Sequence, residues 1–217
     1  MIARLSLLAL SLAMIAAAPV AAKDKAAASA AAETVSCEGV FGPKSSAAAV
    51  AAAFGAENVV TGTVDGPEGS EVLATTVYPN DPARVMEFGW WDEEKREYPS
   101  YVELSPSQMT PTGVKIGMSV AEVEAINGAP FSINGFWWDY GGNGVFETGA
   151  LVNPETGCGF WLHFSPKDEY PESLDTSAIA GEVTVPSKEP LLKELDVRVT
   201  QITLGYAWPD DLPQPDY

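Results

Sequence analysis

Basic residues are scarce in this sequence. It has 12 lysines and arginines against 30 aspartates and glutamates, which gives a formal net charge of −18. Removing residues 1–22, whose one charged side chain is Arg4, would lower the charge to −19. Such an acidic chain repels nucleic acids and anionic lipids, and it can attract a basic protein. The composition therefore argues against binding to nucleic acid. It is compatible with a cationic partner (a basic protein, a polyamine or a divalent cation) and also with a role in solubility alone; the partner expected from the sequence as a whole is a protein with basic groups.

Histidine and cysteine are nearly absent. His163 is the only histidine, and Cys37 and Cys158 are the only cysteines. A single histidine and the lack of a CxxC spacing argue against a metal centre or a redox pair, and no cofactor is expected. Two cysteines in an exported chain allow one pairing, so a Cys37–Cys158 disulfide is predicted. It would join the segment before the first predicted helix to a strand far along the chain.

Sequence motifs of common enzyme classes are also missing. The chain has no nucleophile elbow, no P-loop and no dinucleotide fingerprint. The glycine-rich run Gly141–Gly144 lies between two predicted strands, whereas a phosphate-binding loop precedes a helix. No catalytic residue is predicted, and the protein is expected not to be an enzyme. Paired carboxylates for glycoside cleavage remain an open alternative, because their separation depends on the fold.

Long apolar runs are confined to the N-terminus. Arg4 precedes the apolar segment Leu5–Ala18, and the small residues Val20–Ala22 follow it. This order is typical of a secretory signal peptide cleaved after Ala22, and the run is short for a membrane-spanning helix. We therefore expect a periplasmic protein without a membrane span. Residues 23–40 are predicted to form a disordered leader.

The best-marked element of the sequence is a short helix within residues 117–130. Ser119 can cap its first turn, and Glu122, three residues later, completes a capping box. Gly128 suits the left-handed position at the helix end, and Pro130 prevents further helix.

The same pattern occurs 73 residues earlier. A shift that carries Ser46 onto Ser119 matches 11 of the 35 positions from 46 to 80, including glycines at 55, 62 and 69. This agreement predicts an internal duplication, with repeat one at 41–105 and repeat two at 106–205. The same shift carries Trp90 onto His163, so His163 is expected to be a sheet residue.

The predicted fold class is α+β, with two tandem repeats that each pack a short helix on an antiparallel sheet of about four strands. Alternation and turn residues define the strands. In repeat one they are expected at 57–64, 71–78, 84–91 and 98–104. In repeat two they are expected at 131–140, 145–152, 158–164 and 195–204. A long polar excursion, 165–194, interrupts repeat two, and an acidic, proline-rich tail, 206–217, follows it.

Tryptophans supply the main functional indication. On the strand 84–91, alternation places Met86, Phe88 and Trp90 towards the core and Trp91 on the opposite face. Helices can cover one face only, so the second face is expected to be covered by another segment or to be a binding surface. The candidate binding residues are Trp91, Trp138, Asp139 and Tyr140.

Three segments, Ile116–Ser119, Glu122–Val123 and Asn127–Pro130, resemble the helix signature of a superfamily of small exported α/β modules. It includes the β-lactamase-inhibitor-protein-like proteins and the small lipoproteins of outer-membrane assembly. The resemblance covers about fifteen residues and implies a helix packed on an antiparallel sheet, without any functional residue. The expected function is an exported binding module, either inhibitor-like or an envelope-assembly factor. A periplasmic hydrolase acting on envelope material and a structural envelope component remain alternatives.

Overall fold

The computed structural model describes residues 32–66, 69–155 and 157–214, and it is an α+β fold as predicted. The helices are α1 (Ala47–Phe54), α2 (Val120–Asn127) and α3 (Pro190–Glu194). The strands are β1 (Glu33–Thr34), β2 (Val59–Asp65), β3 (Glu71–Val77), β4 (Met86–Asp92), β5 (Glu97–Glu103), β6 (Gln108–Met109), β7 (Ser132–Asn134), β8 (Gly144–Val145), β9 (Cys158–Ser165), β10 (Thr184–Pro186) and β11 (Arg198–Tyr206). Within the described ranges, no helix has the length and apolarity to cross a bilayer.

Six antiparallel strands form the main sheet, in the order β2-β3-β4-β5-β11-β9. Strands of the two halves meet where β5 pairs with β11, and there Val102 lies opposite Leu204. A smaller sheet has the order β10-β7-β8, and β1 pairs with β6 in parallel. The main sheet thus joins four consecutive strands of the first half to two strands of the second half.

One face of the main sheet forms the core. Phe88, Val102 and Leu204 occupy successive positions across its strands and are fully buried. Val50 of α1 and Val123 of α2 are fully buried in the same hydrophobic cluster. The predicted core side of β4 is confirmed, since Met86, Phe88 and Trp90 are at most 4% exposed.

The capping box of α2 is confirmed. The Ser119 hydroxyl accepts a hydrogen bond from the Glu122 amide, and the Glu122 carboxylate accepts one from the Ser119 amide at 2.8 Å. The bond from the Ser119 amide to the Glu122 carboxylate, followed by one from the Ser119 hydroxyl, lowers the pKa of Glu122. Gly128 ends the helix with φ +73°, a left-handed conformation that glycine adopts without strain. Both helix ends therefore lie where the sequence predicts them.

The two halves place their elements at matching sequence positions. A shift of 73 residues carries both ends of α1 onto those of α2, the start of β2 onto that of β7, and the start of β3 onto that of β8. The fourth pair departs from this register, because β4 and β9 begin 72 residues apart. The structure is compatible with a tandem repeat, and the duplication itself stays a prediction.

The single-residue offset between β4 and β9 exchanges the buried and exposed faces of β9 relative to those expected from the repeat. The 73-residue shift carries Phe88, fully buried, onto Trp161, which is 50% exposed. It also carries Trp90 onto His163, although Trp90 is a core residue and His163 lies on the opposite face of the sheet. Successive strand residues point to opposite faces, so a slip of one residue exchanges inside for outside.

The strands predicted at 131–140 and 145–152 are much shorter than expected. β7 ends at Asn134, and the Gly135 amide then bonds the Val183 carbonyl at 2.8 Å. β8 has only two residues, because the buried Asn127 side chain forms hydrogen bonds with the segment that follows β8. The Asn127 side chain donates to the Thr148 carbonyl and accepts from the Leu151 amide, so this segment turns over the end of α2.

Parts of both expected irregular termini are ordered. Within the predicted leader 23–40, β1 is paired and Val35 is 1% exposed, so residues 33–35 join the fold instead of remaining disordered. The predicted signal peptide lies outside the described residues. In the predicted tail, Trp208 packs against Trp91, and Asp211 forms an ion pair with Lys44 at 2.7 Å.

The predicted Cys37–Cys158 disulfide is present, with its Cα atoms 6.4 Å apart. Cys158 is the first residue of β9, and Cys37 precedes α1 by ten residues. The bridge therefore ties the segment before α1 to β9, the edge strand that the second half contributes to the main sheet. The long excursion 165–194 contributes β10 and α3, so it is partly regular.

Candidate binding surface

The main sheet has a second face, which we call the outer face. It is formed by the even-numbered residues of β2 and β3 together with the odd-numbered residues 87–91, 101–103, 159–165 and 201–205. Its described residues are half-buried or exposed, apart from the small residues Ala74, Gly89 and Gly159. It spans all six strands of the main sheet, whereas the smaller described sheets have three and two strands.

Two neighbouring rows of residues run across the outer face. One row consists, in strand order, of Val60, Thr76, Glu87, Glu103, Thr203 and Trp161. The adjacent row consists of Gly62, Ala74, Gly89, Tyr101, Gly205 and Gly159. The first row contains two carboxylates, Glu87 and Glu103, and the indole of Trp161. The second row consists of glycine and alanine apart from Tyr101.

Aromatic rings lie over glycines of this small row. A Cβ atom on Gly205 would lie 2.6 Å from Cζ3 of Trp161, and one on Gly89 would collide with the Tyr101 ring. Both glycines are therefore required by the close approach of a ring from the neighbouring strand. Trp161 covers Gly205 with part of its indole and remains 50% exposed, so it presents a supported aromatic surface to solvent.

Two carboxylates face each other in the middle of the charged row. Glu87 and Glu103 occupy paired positions on β4 and β5. The Tyr101 hydroxyl donates to Glu87 at 2.8 Å, and the Gln201 amide donates to Glu103. Burial, followed by the nearby Glu87 carboxylate, raises the pKa of Glu103. Like charges opposite each other are unfavourable, so a cationic group placed here would relieve their repulsion.

At its β9 border the outer face continues into a cleft of 350 Å³. His163 and Ser165 line it from β9, and Trp137 and Trp138 line it from the turn between β7 and β8. The His163 ring lies 3.2 Å from the Thr200 hydroxyl, and burial lowers its pKa. The histidine is thus favoured in its neutral form, as a polar wall of the cleft.

Of the predicted site residues, Trp91 lies on the outer face as expected, but another segment covers it. Its ring centroid is 5.0 Å from that of Trp208, and its indole nitrogen is buried without a hydrogen-bond partner. Trp208 from the C-terminal segment therefore covers the Trp91 end of β4.

The other three predicted residues, Trp138, Asp139 and Tyr140, lie in the turn between β7 and β8 rather than on a strand. Trp138 donates from its indole to the Gly135 carbonyl at 2.8 Å and packs against Tyr140, which is 58% exposed. β5 and β11 lie between β4, which carries Trp91, and β9, which borders this turn. The structure therefore places the four residues in two regions.

Trp161 is the aromatic residue that the sequence prediction missed. The strand containing it was predicted, and its alternation separates Phe160, Leu162 and Phe164 from Trp161 and His163. That alternation could have identified Trp161 as outward-facing. The sequence prediction chose Trp91 and Trp138 instead, because each of them follows another tryptophan.

Comparisons with protein-family models, with curated proteins and with solved structures find no match.

Proposed function

We propose that this protein is an exported binding module that captures a protein partner on its outer face, as an inhibitor or as an envelope-assembly factor. The observation that carries the proposal is the half-exposed indole of Trp161, which is supported on Gly205 and ends the row that contains Glu87 and Glu103. Tryptophans of this kind dominate many protein–protein interfaces.

The surface fits a partner that offers both apolar and basic groups. The rings of Trp161 and Tyr101, each lying over a glycine, give an aromatic surface on which an apolar side chain can pack. Glu87 and Glu103 can accept hydrogen bonds from lysine or arginine, and a guanidinium can also stack on the exposed indole. The formal charge of −18 favours encounter with such a partner at low salt.

Capture from envelope extract by the immobilised mature chain tests the proposal. We expect one or more proteins to be retained by the wild type, released by salt, and lost with Trp161→Ala. Trp137→Ala is the matched control, because Trp137 is also 50% exposed but lies in the turn between β7 and β8. Circular dichroism melting of each variant establishes that its fold is intact.

Equal capture by the wild type and the Trp161→Ala variant would contradict the role of the outer face. Loss of capture with Trp137→Ala alone would instead locate binding at the cleft beside His163. Failure of every variant and of the wild type to retain a protein would favour a structural envelope component.

A hydrolase remains the second candidate, because Glu87 and Glu103 are paired and the pKa of Glu103 is raised. One protonated and one ionised carboxyl group are the minimal requirement for glycoside hydrolysis. Hydrolysis of envelope polysaccharide that is abolished by both Glu87→Gln and Glu103→Gln would support this alternative. Absence of turnover in the wild type would remove it.

A further inference from the structure

β2 forms an open edge of the main sheet. It is the terminal strand in the sheet order, and no strand in the described part of the chain pairs with its free side. Its residues Val59–Val64 include no charge and no proline, and its pairing with β3 has no bulge. Exposed edge strands usually carry charged residues, prolines or bulges, because these features prevent the unpaired backbone groups from pairing with another strand.

The opposite edge of the sheet is protected. The Asn153 side chain bonds both the amide and the carbonyl of Phe160, at 2.8 and 2.9 Å, and so takes the place of a neighbouring strand on β9. Further along β9, the Phe164 amide donates to the Gly142 carbonyl at 2.8 Å. Among the described residues, one edge of the sheet is therefore blocked and the other is available.

Hydrogen bonds at both ends of the β2–β3 hairpin show which residues face the open edge. Gly66 donates to Ser70, and Tyr78 donates to Asn58. In an antiparallel pair, bonded positions alternate, so the even-numbered residues of β2 bond to β3. Thr61 and Thr63 lie between these bonded positions, so their backbone N–H and C=O groups point away from β3, towards the open edge.

The sequence of this edge is self-complementary. Residues 60–64 read Val-Thr-Gly-Thr-Val, which is the same in both directions about Gly62. We propose that β2 pairs with β2 of a second copy of this chain, antiparallel, with the two-fold axis at Gly62. Thr61 then exchanges both backbone hydrogen bonds with Thr63 of the other copy, and Val60 lies beside its Val64.

This register satisfies the requirements of a two-fold interface. Both valines lie on the outer face and both threonines on the core face, so each side chain meets a like environment. Asp65 falls opposite Val59, so no carboxylate of β2 faces another. The pairing continues the sheet across two molecules and leaves the outer faces free, so it is independent of the proposed binding function.

Sedimentation velocity over about a 100-fold concentration range tests the association, since mass action shifts a monomer–dimer equilibrium. We expect a dimer at high concentration. The double variant Val60→Glu with Val64→Glu sets like charges opposite each other twice, and it should raise the dissociation constant roughly tenfold. The matched variant Val60→Lys with Val64→Glu sets opposite charges together at the same sites and should retain the dimer.

Cysteine cross-linking tests the register directly. Gly62 meets its own copy at a non-hydrogen-bonded position, where Cα atoms are about 4.5 Å apart and a disulfide can form. A Cβ atom at Gly62 meets nothing within 4 Å, so Gly62→Cys fits the monomer. Oxidation should give a covalent dimer with Gly62→Cys and none with Val60→Cys, which faces Val64 instead.

A wild type that stays monomeric at every concentration would overturn the proposal. Equal dissociation constants for the two charge variants would also overturn it. So would cross-linking of Val60→Cys as efficient as that of Gly62→Cys. Melting curves of all variants exclude loss of fold as the cause.

Discussion

The two halves of the molecule begin alike and end differently. Residues 46–91 and 119–164 share a capped eight-residue helix at equivalent positions. In the first half, two seven-residue strands follow and extend the main sheet, whereas in the second half β7 and β8 are short and form a separate sheet with β10. The difference shows that local sequence defined the helices, while contacts distant in sequence decided the length and partners of the strands.

The strongest test of this comparison is the inversion between Phe88 and Trp161, which are equivalent by the 73-residue shift. Phe88→Ala should destabilise the protein by about 3–5 kcal/mol, because it leaves a cavity in the core. Trp161→Ala should cost no more than about 1 kcal/mol, since it removes one cross-strand contact on the outer face. Guanidinium denaturation of the two variants measures both values. Similar losses would mean that the indole is a core residue.

The disulfide links the two halves covalently. Replacing both cysteines, by Cys37→Ser with Cys158→Ser, should lower the free energy of unfolding by about 2–5 kcal/mol, because the closed loop spans most of the chain. Urea denaturation without reductant gives the difference. As a check on the bridge itself, unfolded and unreduced wild type should show no free thiol. Two titratable thiols would disprove the link.

Asn127 tests why the second half loses its long strands. Its equivalent in the first half is Phe54, which packs on the rings of Phe41 and Tyr78. Asn127→Ala removes the bonds to Thr148 and Leu151 and should cost about 1–3 kcal/mol, because buried polar groups lose their partners. Amide hydrogen exchange should show the increase in opening at 148–151 first. Unchanged exchange there would assign the shape of this segment to other contacts.

The smallest effect concerns the helix caps. α2 has a reciprocal capping box, whereas α1 has only the bond from the Ala49 amide to the Ser46 hydroxyl. Ala49→Glu places a carboxylate three residues after the cap and should stabilise α1 by about 0.3–1 kcal/mol. Glu122→Ala should destabilise α2 by a similar amount. Thermal unfolding of both variants measures the effects, and a destabilising Ala49→Glu would show that the two helix starts are not equivalent.

Sequence reasoning located much of the fold but only part of the candidate surface. It identified the capping box, the disulfide, the strand carrying Trp161 and the buried side of β4. It chose Trp91 and Trp138 as a surface, although Trp208 covers the first and the second lies in a turn. No local pattern shows that a residue more than a hundred positions away will pack on Trp91.

The amino-acid sequence by itself determined the features that depend on neighbouring residues. Caps, turns and strand alternation act over a few positions, and two cysteines allow a single pairing. Tertiary structure alone decided which strands share a sheet, which of its edges Asn153 protects, and which face stays open around Trp161. The physical reason is that burial and strand pairing depend on segments brought together by the whole fold, so the same helix-and-strand pattern can extend a sheet in one half and leave it in the other.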